Sequence, residues 1–248
     1  MRTIFLILGL GVTLFAETSL EVAKKSYEVI SGYESSVSKT TMILKNAQGA
    51  ENIRKLEIKK LEGKEGDKSL ITFLYPLDIK ETKLLSYEKV GEDDEQWLYL
   101  PALKRVKRIS SSNKSGSFMA SEFSYEDISS QNYNKYTYEG DAQKTTLENS
   151  EYFKITRVPK DENSAYSKQI VYIDTKSYLV KYGEYYDKQE KLLKLISFLE
   201  YENLDGVYRI KKMQMKNVQT NKSSLLIWDE DIIKTLLSEN EFSQRGLK

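Results

Sequence analysis

Trp97-Leu98-Tyr99-Leu100-Pro101-Ala102-Leu103-Lys104-Arg105-Val106-Lys107-Arg108-Ile109-Ser110 is the stretch on which the reading of this chain turns. As a strand, Trp97 to Leu100 is apolar on both faces, and Pro101 stops it. Lys104, Arg105, Lys107 and Arg108 then form the densest basic patch of the sequence. Charges so placed commonly protect a sheet edge. The functional alternative is contact with an anionic headgroup or an acidic partner surface. Aromatic residues beside basic ones can also bind single-stranded nucleic acid, but with 38 basic against 37 acidic residues the chain lacks the basic excess of such binders.

Outward from this stretch, most of the chain reads as strands. Leu56 and Ile58 alternate with Lys55, Glu57 and Lys59, and Ile71, Phe73 and Tyr75 share one face of a segment ending at Pro76. Further strands are expected over 152–158, 169–173, 178–186, 192–201, 208–218 and 223–228. Turn residues such as Asp161-Glu162-Asn163, Asp187-Lys188 and Asp205-Gly206 separate them. Eighteen Tyr suit half-buried pleated surfaces. Helix is expected at the start, where Thr18 and Glu21 have capping-box spacing, Leu20, Ala23, Tyr27 and Ile30 recur at helical spacing, and Gly32 is a stop. A short closing helix is expected over 232–237. The fold class is therefore mainly β with a few helices (α+β), with an antiparallel sheet or barrel in one domain over 17–248.

The 248 residues include 38 basic and 37 acidic side chains, with neither His nor Cys. These absences exclude disulfides, thiolate nucleophiles, imidazole-based triads and the usual zinc ligand sets. Met1-Arg2-Thr3, an apolar run from Ile4 to Phe15 and the small Ala16 read as a signal peptide over 1–16, too short for a comfortable membrane span. An exported chain without Cys suits a periplasm-like space.

No segment reads as a catalytic or metal site, and no cofactor is expected. The run Glu92-Asp93-Asp94-Glu95 lacks the spaced ligands and glycine of a calcium loop. Glu126-Asp127, taken as adjacent strand residues, would point to opposite faces and make a poor catalytic pair. Ser110 to Ser117 is a polar loop with no geometry fixed for a Ser-Lys pair. It leads into Phe118, Met119, Phe123 and Tyr125, which are expected either to anchor a loop moving over an apolar surface or to belong to the core.

The quoted stretch is followed by Ser117-Phe118-Met119-Ala120-Ser121-Glu122-Phe123-Ser124-Tyr125-Glu126-Asp127-Ile128. Together they resemble the signature of exported outer membrane lipoprotein-sorting proteins, relatives of the LolA and LolB carriers. Phe73-Leu74-Tyr75-Pro76-Leu77-Asp78-Ile79, Tyr185-Tyr186-Asp187 and Leu204-Asp205-Gly206 support the resemblance, which spans nearly the whole mature chain. It departs from the family pattern at Glu81-Thr82, where Gly-Thr is usual, and at Ala120-Ser121-Glu122, where Gly-Ser-Asp is usual.

The resemblance implies a curved, half-open antiparallel sheet with helices on its concave side and a cavity that shields acyl chains. Leu56, Ile58, Phe73, Trp97 and Tyr99 are the expected lipid-binding residues, with Phe118 and Met119 as a lid. Lys104, Arg105, Lys107 and Arg108 are the expected contact for a headgroup or partner. The expected activity is non-enzymatic carriage of a lipoprotein or lipid toward the outer membrane, with transient membrane contact. The alternative is an accessory module docking on an RND-type inner-membrane exporter and carrying no lipid.

Overall fold

A computed structural model describes residues 16–89, 92–129 and 131–247. The expected signal segment, apart from Ala16, lies outside these residues. The first helix, α1 (Ser19–Glu28), starts at the expected capping box: Thr18 Oγ1 accepts from the Glu21 amide, and the Glu21 carboxylate accepts from the Thr18 amide. Its buried face is turned relative to the expected stripe. Ser19, Val22, Ala23 and Ser26 pack inward, while Leu20 is exposed.

Fourteen strands follow: β1 (Ser35–Lys45), β2 (Glu51–Leu61), β3 (Lys68–Tyr75), β4 (Lys83–Tyr87), β5 (Glu95–Leu100), β6 (Arg105–Ile109), β7 (Tyr136–Tyr138), β8 (Gln143–Leu147), β9 (Ser150–Pro159), β10 (Tyr166–Asp174), β11 (Val180–Asp187), β12 (Leu192–Leu204), β13 (Val207–Asn217) and β14 (Lys222–Ile233). They form one curved, unclosed antiparallel sheet. Its order is β6-β5-β4-β3-β2-β1-β14-β13-β12-β11-β10-β9-β7, with β8 also paired to β9. Two meanders of neighbouring hairpins thus run outward from a central seam, where β1 meets β14 from Ser36↔Ile233 to Lys45↔Ser223.

The expected helix over 232–237 is not formed. Ile232 and Ile233 continue β14 because they pair with Val37 and Ser36 of β1. Strand β1 itself carries no alternating apolar signal. Its inward row is Ser36, Ser38 and Thr40 before Met42, all buried. These small hydroxyl side chains at the centre of the sheet leave room above them for larger neighbours.

Strand alternation sorts the apolar residues into two layers. On the concave side Met42, Leu56, Ile58, Phe73, Leu98, Met215 and Leu226 join one cluster, and a second lies under α1 around Val22, Ile155 and Val171. A third cluster, Leu70, Leu85 and Trp97, takes the opposite side chains of β3, β4 and β5 and is covered by Phe242 and Leu247 from the C-terminal segment. That segment is fastened as a strap. The Tyr87 hydroxyl donates to the Phe242 carbonyl, Lys59 pairs with Glu241 at 2.5 Å, and Lys68 with Glu239 at 3.3 Å.

Both departures from the family's glycine pattern fall where the backbone is left-handed: φ is 64° at Glu81 and 60° at Ala120. The turn that glycine would adopt freely is kept here with a side chain in place, at a cost of roughly 1–2 kcal/mol each.

Candidate functional site

The concave side is divided between a plug and a cavity. The plug is the segment 111–129, which enters from the edge strand β6 and ends in the short α2 (Tyr125–Ile128). Phe118 and Phe123 are fully buried in it. The Phe118 ring meets Phe73 at 5.7 Å and Tyr125 at 5.7 Å between centroids.

Polar bolts hold the plug at several points. Gln96 Nε2 donates to the Tyr125 carbonyl at 3.1 Å, Ser224 Oγ accepts from the Glu122 amide at 2.9 Å, and the Arg54 guanidinium donates to the Met119 carbonyl. Lys114, almost fully buried, sits between Asp93 at 3.8 Å and Asp161 at 3.6 Å. Asp127 lies in a buried triad: Tyr166 Oη and Lys194 Nζ both donate to its carboxylate at 2.9 and 3.0 Å, and Lys194 Nζ also donates to Tyr166 Oη at 2.9 Å.

The expectation that Glu126 and Asp127 are strand neighbours is corrected here. They belong to a helical turn capped by Ser124, and both serve as anchors. Glu126 accepts from Ser164 Oγ at 2.7 Å and from the Ala165 amide at 2.9 Å. Burial pushes its carboxyl up to about 7, with adjacent Asp127 adding to the rise. A carboxyl raised in the folded state stabilises the fold below its ordinary range, and that contribution is lost as pH rises through about 7. Glu126→Gln keeps the acceptor. Its stability profile between pH 5 and 8 is expected to be flatter than that of the parent, by on the order of 3 kcal/mol in urea titrations. Asp67, pushed up to about 6 by burial and then by Glu88, retains a slope of the same sign in both proteins.

The space left between α1 and the plug is a cavity of about 260 Å³. Ala23 and Tyr27 of α1, with Ile30 just beyond its end, form one wall. Ile58, Ile71, Ile196, Met213, Leu226 and Trp228 line the sheet side. At one end the lining turns polar, with Tyr33, Lys60, Asp67, Arg209 and Asp231. Arg209 Nε donates to Asp231 at 2.8 Å and Nη2 to Ser36 Oγ at 3.1 Å, and its guanidinium lies 4.0 Å from the Tyr33 ring centroid. A second cleft of about 330 Å³ on the far side of the plug is bordered by charged groups including Asp94, Lys114, Glu126, Lys135 and Asp161. No cluster suited to a metal ion occurs among the described residues.

The residues expected to bind lipid are dispersed by this geometry. Ile58 lines the cavity. Leu56 and Phe73 are core beneath the plug, Phe118 is the plug residue buried against Phe73, and Met119 is partly buried against the same cluster. The expected lid is thus seated as a plug, because its aromatic side chains fill the curve of the sheet. Trp97 and Tyr99 are on the other face, packed with Leu85 and Phe242 under the strap. Strand parity sends Leu98 and Leu100 inward in their place.

The basic patch is divided in the same way. Arg108 pairs with Glu95 at 2.7 Å on the side of Trp97, whereas Lys107 is the cross-strand partner of Leu98. Lys104, Arg105 and Lys107 are exposed at the open edge beside the exposed Leu103. Lys60 and Arg209 were not expected from the sequence. Lys60 lies on the inward row of Leu56 and Ile58, a signal that could have flagged it.

Known structures share this fold. A domain from Vibrio parahaemolyticus, assigned to outer membrane lipoprotein sorting, is 40% identical, with a TM-score of 0.87 over 92% of this chain and 97% of that one. The chain belongs to the outer membrane lipoprotein-sorting protein family. A DUF1329 family protein from Desulfovibrio piger is 27% identical with a TM-score of 0.87, covering 93% and 98% of the two chains. A LolA superfamily protein from Nitrosomonas europaea shares the fold at 16% identity, with a TM-score of 0.76 over 93% of this chain and 100% of that one. A family model described as "Uncharacterized protein" matches residues 65–248. No curated protein matches the chain. Within this lipoprotein-sorting family member, no helix among the described residues is long and apolar enough to cross a membrane.

Proposed function

We propose that the protein is a non-enzymatic periplasmic carrier that holds the acyl part of a lipid or lipidated protein in the concave cavity during passage toward the outer membrane. The observation that carries this reading is the apolar cavity between α1 and the plug. An acyl chain leaving a bilayer loses about 0.8 kcal/mol for each CH₂ exposed to water. A wall built from Ile58, Ile71, Ile196, Met213, Leu226 and Trp228 replaces the bilayer interior. An accessory docking module has no need of such a space, and a packed interior would serve it better. The 40% identical Vibrio domain supports the same reading. The exposed Lys104, Arg105 and Lys107 at the β6 edge suit brief contact with an anionic membrane surface or with the partner that loads the carrier.

Native mass spectrometry of the mature protein, isolated gently from an envelope fraction and followed by lipid extraction, tests the proposal. A stoichiometric lipid or acylated peptide is expected. Ile210→Trp, which places an indole in the cavity, is expected to lose it while remaining folded. A mass that stays free of ligand after incubation with envelope lipids and lipopeptides would overturn the reading.

A further inference from the structure

Among the described residues that line the cavity, Lys60 is the cation left without a hydrogen bond or ion pair. Its position follows from strand parity: Leu56, Ile58 and Lys60 share the inward face of β2. Across the ladder it sits directly opposite Ser36 of β1, whose hydroxyl accepts from Arg209. Ser36 is thus flanked by two cations, Arg209 through a hydrogen bond and Lys60 through strand register, at the polar end of an otherwise apolar space. Burial, then the Arg209 charge, draws the Lys60 amine below its ordinary range, so the structure opposes a charge that it nevertheless places there.

The carboxylates on the same wall have partners of their own. Asp231 is held by Arg209 at 2.8 Å, Glu88 pairs with Lys135 at 3.9 Å, and Glu62 accepts the amides of Gly32 and Glu34 at 2.9 and 2.6 Å. Asp67 accepts from the Gly63 amide at 3.3 Å, and it attracts Lys60, as Asp231 and Glu88 do, only from beyond ion-pair distance.

Resting on the carrier reading above, we infer that the cargo is a lipid with an anionic head, a carboxylate or phosphate, that pairs with Lys60 beside Arg209 and Ser36 while its chain lies along Ile58, Met213 and Trp228. The chemistry separates this cargo from the acyl anchor of a lipoprotein. That anchor joins its chains to cysteine through ester, thioether and amide bonds and presents no charge at the same depth. A neutral anchor would leave the half-buried Lys60 with only the longer-range attraction of Asp67, Asp231 and Glu88, whereas an anionic head supplies a direct partner.

Trp228 provides the readout, since it lines the cavity while Trp97 is shielded on the opposite face. Purified delipidated protein is titrated with 9,10-dibromostearate and, separately, with its methyl ester, following bromine quenching of tryptophan fluorescence. The acid is expected to bind roughly tenfold tighter than the ester. In Lys60→Met, which keeps the length and apolar stem, the two are expected to bind equally, with ester affinity unchanged. Dibrominated phosphatidic acid then distinguishes a phosphate head from a carboxylate by which of the two depends more on Lys60. Equal binding of acid and ester by the parent protein overturns the headgroup inference and leaves the carrier reading standing. Absence of quenching by any of the probes overturns both.

Discussion

Asp127→Ala is expected to lower the free energy of unfolding by about 3–5 kcal/mol. The Asp127 and Lys194 side chains are 4% and 9% exposed. Removing the carboxylate strands the ammonium beside the Tyr166 hydroxyl, which burial and the two neighbouring carboxylates already keep firmly protonated. The cost is mostly that of a buried charge without a partner, and the worth of the pair itself is smaller. Lys194→Met alone is expected to be as damaging. Asp127→Ala with Lys194→Met together is expected to cost clearly less than the two single changes added, since no charge is then left behind. Urea midpoints of the four proteins measure the coupling. A loss below 1 kcal/mol for Asp127→Ala would show that the plug is not held by this triad.

The second large effect separates stability from binding. Trp97→Ala is expected to cost about 3–5 kcal/mol, as removal of a buried aromatic from a packed core does. Trp97 is 6% exposed, and its ring lies 5.0 Å from Tyr87 under the strap that carries Phe242 and Leu247. Yet the change is expected to leave lipid affinity within about twofold of the parent, because the cavity is on the other side of the sheet. Fluorescence titration with a brominated fatty acid, at a temperature where the variant is folded, measures the affinity. A tenfold loss of affinity would place Trp97 back among the binding residues.

The sequence was informative where one face of a strand is apolar and the other polar, and uninformative where both or neither are. Strands β9 to β13 carry that alternation and were expected close to their observed spans, whereas β14 was expected to end at Trp228 and runs on to Ile233. Strand β1 was missed because Ser36, Ser38 and Thr40 give its inward face no hydrophobic period. In Trp97-Leu98-Tyr99-Leu100 parity divides the residues correctly, but both faces are apolar, so nothing local tells which faces the cavity. That information resides in Phe242 and Leu247, far along the chain. The polar end of the cavity was hidden for a related reason. Lys60 and Arg209 are neighbours only through the registers of β2 with β1 and the hydrogen bond from β13 to Ser36. The family resemblance supplied the curved sheet and the idea of a cavity, but not which side chains line it.

The seam between β1 and β14 has a consequence for the order in which the chain can fold. Every other ladder joins strands close in sequence and can form soon after its residues emerge from synthesis or export. Ser36 and Ile233 must close almost the full length of the polypeptide, the kind of contact that slows folding. Until β14 arrives, β1 is an open edge, and the hydroxyl row meant for the centre of the sheet faces water. Export as an extended thread, which the proposed periplasmic role implies, would keep the chain in this state for most of its passage. The mild polarity of Ser36, Ser38 and Thr40 suits that interval: the last edge to be covered is also the one least inclined to stick to another chain.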